Sequence, residues 1–169
     1  YRVVQKEIES SDDLFFSIEE LLEELDLEDE SDYRKIRGIY DYLCENVTYD
    51  YENLNDQNYK LKFTAYAALI NKTSVCQGYA VLLYRLALAS GLDCRVITGK
   101  SRNENHAWNI IRLDGKYYNL DATWDAGRST YSYFLQGSGN FPDHTRAAEY
   151  SSAAFNSAYP TDTKAYDPS

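Results

Sequence analysis

Residues Val75 to Ser90 restrict the fold more than any other part of the chain. Val75, Tyr79, Ala80, Val81, Leu82, Leu83, Leu86, Ala87 and Leu88 place apolar side chains nearly all round a helix, and Arg85 is its only charge. A helix with so little polar face must be enclosed by other elements. Ser74 stands where an N-cap oxygen is expected, and Gly91 where a helix ends in the left-handed conformation. At 169 residues the chain is long enough to build such an enclosure as one domain, with room for an appendage.

Two helical stripes precede this segment. After Ser10-Ser11-Asp12, which offer capping oxygens, Leu14, Ile18, Leu21, Leu22 and Leu25 fall on one face, with Glu19, Glu20, Glu23 and Glu24 opposite. The acidic run from Asp26 to Asp32 reads as a solvated linker. It lacks the turn glycine of a calcium loop. A second helix begins near Ser31 and Asp32 with the stripe Ile36, Ile39, Tyr40, Leu43 and Val47, and Cys44 adjoins it as a small packing residue. Residues 1–30 thus form an N-terminal helical extension to a domain spanning 31–169. Thr48 to Lys60 is polar and reads as a loop, followed by a short helix over Thr64 to Ile70.

Beyond the apolar helix the period changes to that of strands. Cys94 to Thr98 is rich in β-branched residues. His106 to Leu113 and Lys116 to Thr123 flank Asp114-Gly115, a strong two-residue hairpin signal. From Gly137 on, the Ser-, Ala-, Asn- and Tyr-rich tail reads as an irregular coat, with a frayed end from Asp162. Helices first and an antiparallel sheet after give the class α+β.

The 27 acidic against 17 basic residues leave a net charge of -10, with no basic footprint for a nucleic-acid backbone. No apolar run is long enough to span a bilayer. The sequence contains no Met, and is read as a mature or excised segment whose targeting signals lie elsewhere. Three cysteines, Cys44, Cys76 and Cys94, form no CxxC pair. An odd number cannot be a closed disulfide framework.

Cys76 differs from the other two in its position. It lies at the start of the apolar helix, where unpaired backbone N–H groups and the helix dipole favour a thiolate and can hold an oxyanion. His106 opens the first hairpin strand. With Asp114-Gly115 as the loop, His106 lies opposite Thr123 and Trp108 opposite Asp121, so His106 and Asp121 are diagonal neighbours on one face. Cys76 as nucleophile, His106 as base and Asp121 as orienting acid would complete an acyl-transfer triad. A zinc site built from the same three residues is a lesser alternative. His144, in Pro142-Asp-His-Thr145, reads as surface or loop packing. Tyr49 and Tyr51 read either as cleft lining or as packing aromatics.

These residues resemble the transglutaminase-like superfamily, in its bacterial branch, with a papain-like fold. Val75-Cys-Gln-Gly-Tyr-Ala80, Asn105-His-Ala-Trp-Asn109 and Tyr118-Asn-Leu-Asp-Ala-Thr-Trp-Asp125 stand in the family's order, 30 residues separating Cys76 from His106 and 15 separating His106 from Asp121. Val47-Thr-Tyr-Asp50, Ala65-Tyr-Ala-Ala-Leu-Ile-Asn71 and Tyr133-Phe-Leu135 are similar to further family elements, and the resemblance covers about residues 32 to 145. Asn71-Lys-Thr-Ser74 departs from it, since relatives often carry a Gly there. The resemblance implies Cys-His-Asp acyl transfer on a protein or peptide amide, as transferase or hydrolase, without a cofactor or metal. A catalytically silent binding module of a multi-domain surface protein is the alternative. The resemblance also implies an extracytoplasmic, secreted or cell-surface setting, with a cell-wall-associated protein or peptide among the candidate substrates. The first oxyanion donor would be the Cys76 backbone N–H, the second a side chain between Asn53 and Asn71. The net charge points to cationic or amine-bearing substrates.

Overall fold

A computed structural model describes residues 12–128 and 130–168. The capping residues Ser10 and Ser11 lie outside these. Helix α1 (Asp12–Leu25) buries Leu14, Ile18 and Leu21, and α2 (Asp32–Asn46) buries Ile36, Ile39, Tyr40 and Leu43, following the two stripes. Ser31 caps α2 by accepting the Arg34 N–H. All seven side chains belong to the hydrophobic cluster that also encloses Leu82, Leu83 and Leu86 of the apolar helix.

That helix, α3 (Cys76–Ala89), starts after Val75, and Ser74 does not cap it. Ser74 lies instead in a two-residue strand, β2 (Thr73–Ser74), which runs parallel to β1 (Thr48–Tyr49). Its hydroxyl stands 2.7 Å from the Lys62 carbonyl and 3.0 Å from that of Val75. The reason is local: Thr48 N–H and Asp50 N–H reach the Lys72 and Ser74 carbonyls, so the chain enters α3 extended. Gly91, at φ +81°, ends the helix as expected. Between β1 and β2 lie a 3₁₀ turn (Lys60–Phe63) and a π-helical turn (Ala67–Asn71) in place of the expected regular short helix.

The sheet is antiparallel, in the order β5-β4-β3-β6, with β3 (Cys94–Ser101), β4 (Glu104–Leu113), β5 (Lys116–Leu120) and β6 (His144–Arg146). The hairpin register is the anticipated one: Leu113 faces Lys116 and Asn109 faces Leu120. Asp114 and Gly115 both take positive φ, 52° and 86°, as a two-residue turn matching the strand twist requires. β5 stops at Leu120, three residues earlier than the pattern suggests, because a short helix α4 (Ala122–Asp125) takes over.

The sheet is covered on both faces. Ile111, Leu113 and Leu120 pack with the helices, while Ile97, Trp108, Ile110 and Tyr117 form a second cluster with Phe141. Tyr150, Phe155 and Tyr159 lie over that second cluster as the tyrosine-rich coat, which includes the short helix α5 (Ala153–Ala158). The expected frayed end is docked as far as Tyr166. Ser138, Gly139 and Tyr166 N–H groups bond to the Asp162, Thr163 and Leu135 carbonyls, and the Tyr166 ring stacks on Tyr33 at 5.7 Å. Among the described residues no helix is long and apolar enough to cross a membrane.

Candidate active site

Cys76 is the first residue of α3, at the end where the leading backbone N–H groups have no carbonyl one turn back. Two bonds fix α3 in place, one to the sheet and one to the end of α2. The Asn109 amide donates to the Ala80 carbonyl at 2.9 Å, and Tyr79 OH to the Val47 carbonyl at 2.7 Å. Asn109 lies three residues beyond His106 on β4, so the same strand carries the imidazole and anchors the helix that carries the thiol.

His106 and Cys76 share one cleft of about 630 Å³, lined also by Phe63, Gln77, Asn105 and Thr145. Among the described residues Lys100 and Arg146 are its charged ones and no carboxylate lines it, so the excess of acidic residues in the chain is not concentrated at this cleft. His106 Nε2 lies 2.6 Å from Asp121 Oδ2, as the hairpin argument requires. With Nε2 occupied, Nδ1 is the nitrogen left for the thiol, whose nearness adds to the effect of Asp121 on the ring. Burial by itself would lower the proton affinity of His106. The bonds to Asp121 and Cys76 outweigh it, and the imidazole is pushed up to about 9.

Asp121 is buried, and its backbone is held by the Tyr133 carbonyl, which accepts the Asp121 N–H at 2.9 Å. Burial would raise its carboxyl, but hydrogen bonds from two imidazoles hold it below the ordinary carboxylate range. The second imidazole is His144, read from the sequence as surface or loop packing. It lies in β6 with its side chain 1% exposed, and its Nε2 stands 2.6 Å from the same Oδ2. Nothing in the local sequence distinguishes it. Its place depends on β6 pairing with β3, where Ser101 faces His144.

Trp124, inside the third motif, is a further neighbour to which the local sequence assigns no role. Its ring stacks on His106 at 4.8 Å and 14°, and its Nε1–H donates to Ser101 Oγ at 3.1 Å. Tyr49 and Tyr51 line a separate cavity of about 490 Å³ together with Trp124 and Glu104. Three polar side chains between Asn53 and Asn71 have partners of their own: Asn53 with Asp50, Thr64 with Leu61, and Lys62 with three carbonyls.

Cys44, Cys76 and Cys94 are all free thiols. Burial raises the Cys44 and Cys94 thiols far above the ordinary value. Among the described residues, the set with metal-ligand spacing is His106, Asp121 and His144, whose donor atoms lie within 4.8 Å of one another, and Cys76 is not in it. Both Nε2 atoms there are at hydrogen-bonding distance from Oδ2, so the cluster is built as a hydrogen-bonded one.

The model of the transglutaminase-like superfamily matches residues 19–122, more than half of the chain. The chain belongs to this superfamily. The transglutaminase-like domain is 28% identical over 122 residues to the kyphoscoliosis peptidase of Mus musculus and 26% identical to that of Homo sapiens. Each match covers 65% of this chain and only 18% of the relative's length. Among solved structures, a crystal structure of a TGase matches with a TM-score of 0.61 at 24% identity, covering 98% of this chain and 43% of that chain. A candidate cysteine protease of Cytophaga hutchinsonii matches with a TM-score of 0.53 at 19% identity, covering 80% of this chain and 46% of that chain. Both likenesses are of fold: mixed helices and antiparallel sheet of the transglutaminase-like, papain-like kind.

Proposed function

We propose that this transglutaminase-like domain carries out thiol-dependent acyl transfer on a protein or peptide amide, with Cys76, His106 and Asp121 as its triad. One observation carries the reading: a thiol at a helix start and an imidazole backed by a buried carboxylate at 2.6 Å share one cleft. Cys76 Sγ attacks the amide carbonyl carbon, and its proton passes to His106 Nδ1. The oxyanion is held by the Cys76 backbone N–H at the start of α3. His106 returns the proton to the departing amine as the C–N bond breaks, leaving a thioester. Water or a second amine then attacks the thioester and releases Cys76. Asp121 keeps the imidazole in one orientation and offsets its charge while it is protonated.

Iodoacetamide under native conditions tests the nucleophile. Cys76 should be labelled well before Cys44 and Cys94, whose thiols burial holds protonated, and His106→Ala should slow the labelling of Cys76. Equal labelling of all three would refute the assignment. Incubation with a peptide library, followed by intact-mass measurement, should trap an acyl adduct that Cys76→Ala abolishes.

A further inference from the structure

The acid of the proposed triad serves two imidazoles. His106 Nε2 and His144 Nε2 each stand 2.6 Å from Asp121 Oδ2, while Oδ1 is buried with no hydrogen-bond partner among the described residues. An acceptor-only carboxylate requires an N–H from each ring, so both histidines present Nε2–H to one oxygen. His144 cannot easily turn away. Phe141 stacks on it at 3.8 Å and 21°, and Trp108 meets it edge-on at 4.8 Å. The ladder of β6 on β3 fixes its backbone, and Gly99 of β3 permits that approach, since a Cβ there would lie 2.1 Å from the Thr145 carbonyl.

We propose that His144 is a positioning residue of the triad, whose Nε2–H fixes the Asp121 carboxylate and competes with His106 for the same oxygen. The proposal rests on the Cys76–His106–Asp121 reading and goes beyond it. A carboxylate oxygen that accepts a second hydrogen bond has less negative charge to offer the first donor. His106 therefore binds its proton less tightly than it would with Asp121 to itself, which makes it the better acid toward a leaving amine. Titratable and charged groups around the pair are Cys76 of α3, Lys100 of β3, Glu104 of β4 and Asp125 of α4, with Asp143 and Arg146 beside His144, Tyr133 against its ring at 5.8 Å, and Arg102 bonded to the Tyr133 hydroxyl.

The test is an NMR titration of the His106 imidazole in the wild type, His144→Phe and His144→Gln, beside the pH profile of Cys76 alkylation. His144→Phe should raise the His106 midpoint by about half a pH unit or more, roughly a threefold change in its proton affinity. The alkylation profile should move with it. His144→Gln, which keeps a donor for Asp121, should restore the wild-type midpoint. Should His144→Phe not fold, His144→Leu, which also removes the donor to Asp121, takes its place with the same expected rise and the same refuting outcome. An unmoved or lowered midpoint in His144→Phe, or a Gln variant as perturbed as the Phe one, would overturn the proposal and leave His144 as packing. Failure to find amide turnover would sink the acyl-transfer reading without altering this titration.

Discussion

Tyr40, in the middle of α2, donates its hydroxyl hydrogen to Asp125 Oδ2 across 2.6 Å, and the Tyr40 hydroxyl oxygen also lies 3.0 Å from the Asp121 carbonyl. The two residues are 85 positions apart and both are buried. Burial raises the Asp125 carboxyl, and hydrogen bonds from Tyr40, the Tyr133 N–H and Thr130 only partly pull it back. Helix α2 thereby grips the short segment that begins with the acid of the proposed triad.

Tyr40→Phe removes the donor and leaves the Asp125 carboxylate under-satisfied, at a cost of about 1–3 kcal/mol. The deficit in urea melts should shrink as the pH falls, because a protonated Asp125 no longer needs the phenol as much. Alkylation of Cys76 should also slow, since Asp121 loses an anchor. A deficit independent of pH would contradict the role given to Asp125.

His106 makes the fold itself pH-dependent. Its imidazole is held at about 9 in the folded chain, despite the lowering effect of burial, by Asp121 and Cys76, against roughly 6.5 unfolded. The folded state thus binds more protons between these two values. Its contribution is complete below about pH 6.5 and is lost as the pH rises through about 9, on the order of 3 kcal/mol. Denaturant melts across that window should show this loss, and His106→Gln should flatten it. A variant whose stability falls with the same slope as the wild type would assign the loss elsewhere.

Lys62 is 3% exposed, and its ammonium donates to the carbonyls of Asn53, Leu54 and Asp56 at 2.6, 3.1 and 2.9 Å. It closes the 53–56 turn like a bound cation. Lys62→Met should cost about 2–4 kcal/mol and open this segment to limited proteolysis, which is the measurement that checks it. Lys62→Arg should fail to rescue, because a planar fork does not fit a three-carbonyl cage made for a compact ammonium.

Period and turn chemistry made the helices, the hairpin and its register legible, because Leu14, Ile18, Ile36, Tyr40 and Leu86 each obey a local rule. The meeting of His106 with Asp121 was readable for the same reason, because a two-residue turn sets their register, and the helix start at Cys76 was readable from the apolar run that follows it. His144 was not readable, because its position follows from a three-residue strand joining β3 across more than forty residues of chain. The same limit hid the β1–β2 pair, which took Ser74 away from the cap. It also hid the docked tail, whose order comes from Tyr117, Leu135 and Tyr33 rather than from its own composition.

Gly78, two residues after Cys76, has no room for a side chain. A Cβ there would lie 1.7 Å from Ser74 Oγ, 2.9 Å from Ser74 Cβ and 2.8 Å from the Thr64 carbonyl oxygen. Ser74 is itself tied to β1 through its backbone and to Lys62 through its hydroxyl, so it cannot simply retreat. Gly78→Ala should therefore push the first turn of α3 away from the 62–64 backbone, at about 1–3 kcal/mol. The same shift moves Cys76 relative to His106, and a misplacement near 1 Å costs up to roughly a hundredfold in rate. Alkylation of Cys76 should slow more than the loss of stability alone explains, while Cys44 and Cys94 keep their protection. Pairing it with Ser74→Gly removes the nearest clash but not the Thr64 carbonyl, so recovery should be partial. A Gly78→Ala variant with wild-type melting and wild-type labelling would show that α3 can start without this close approach.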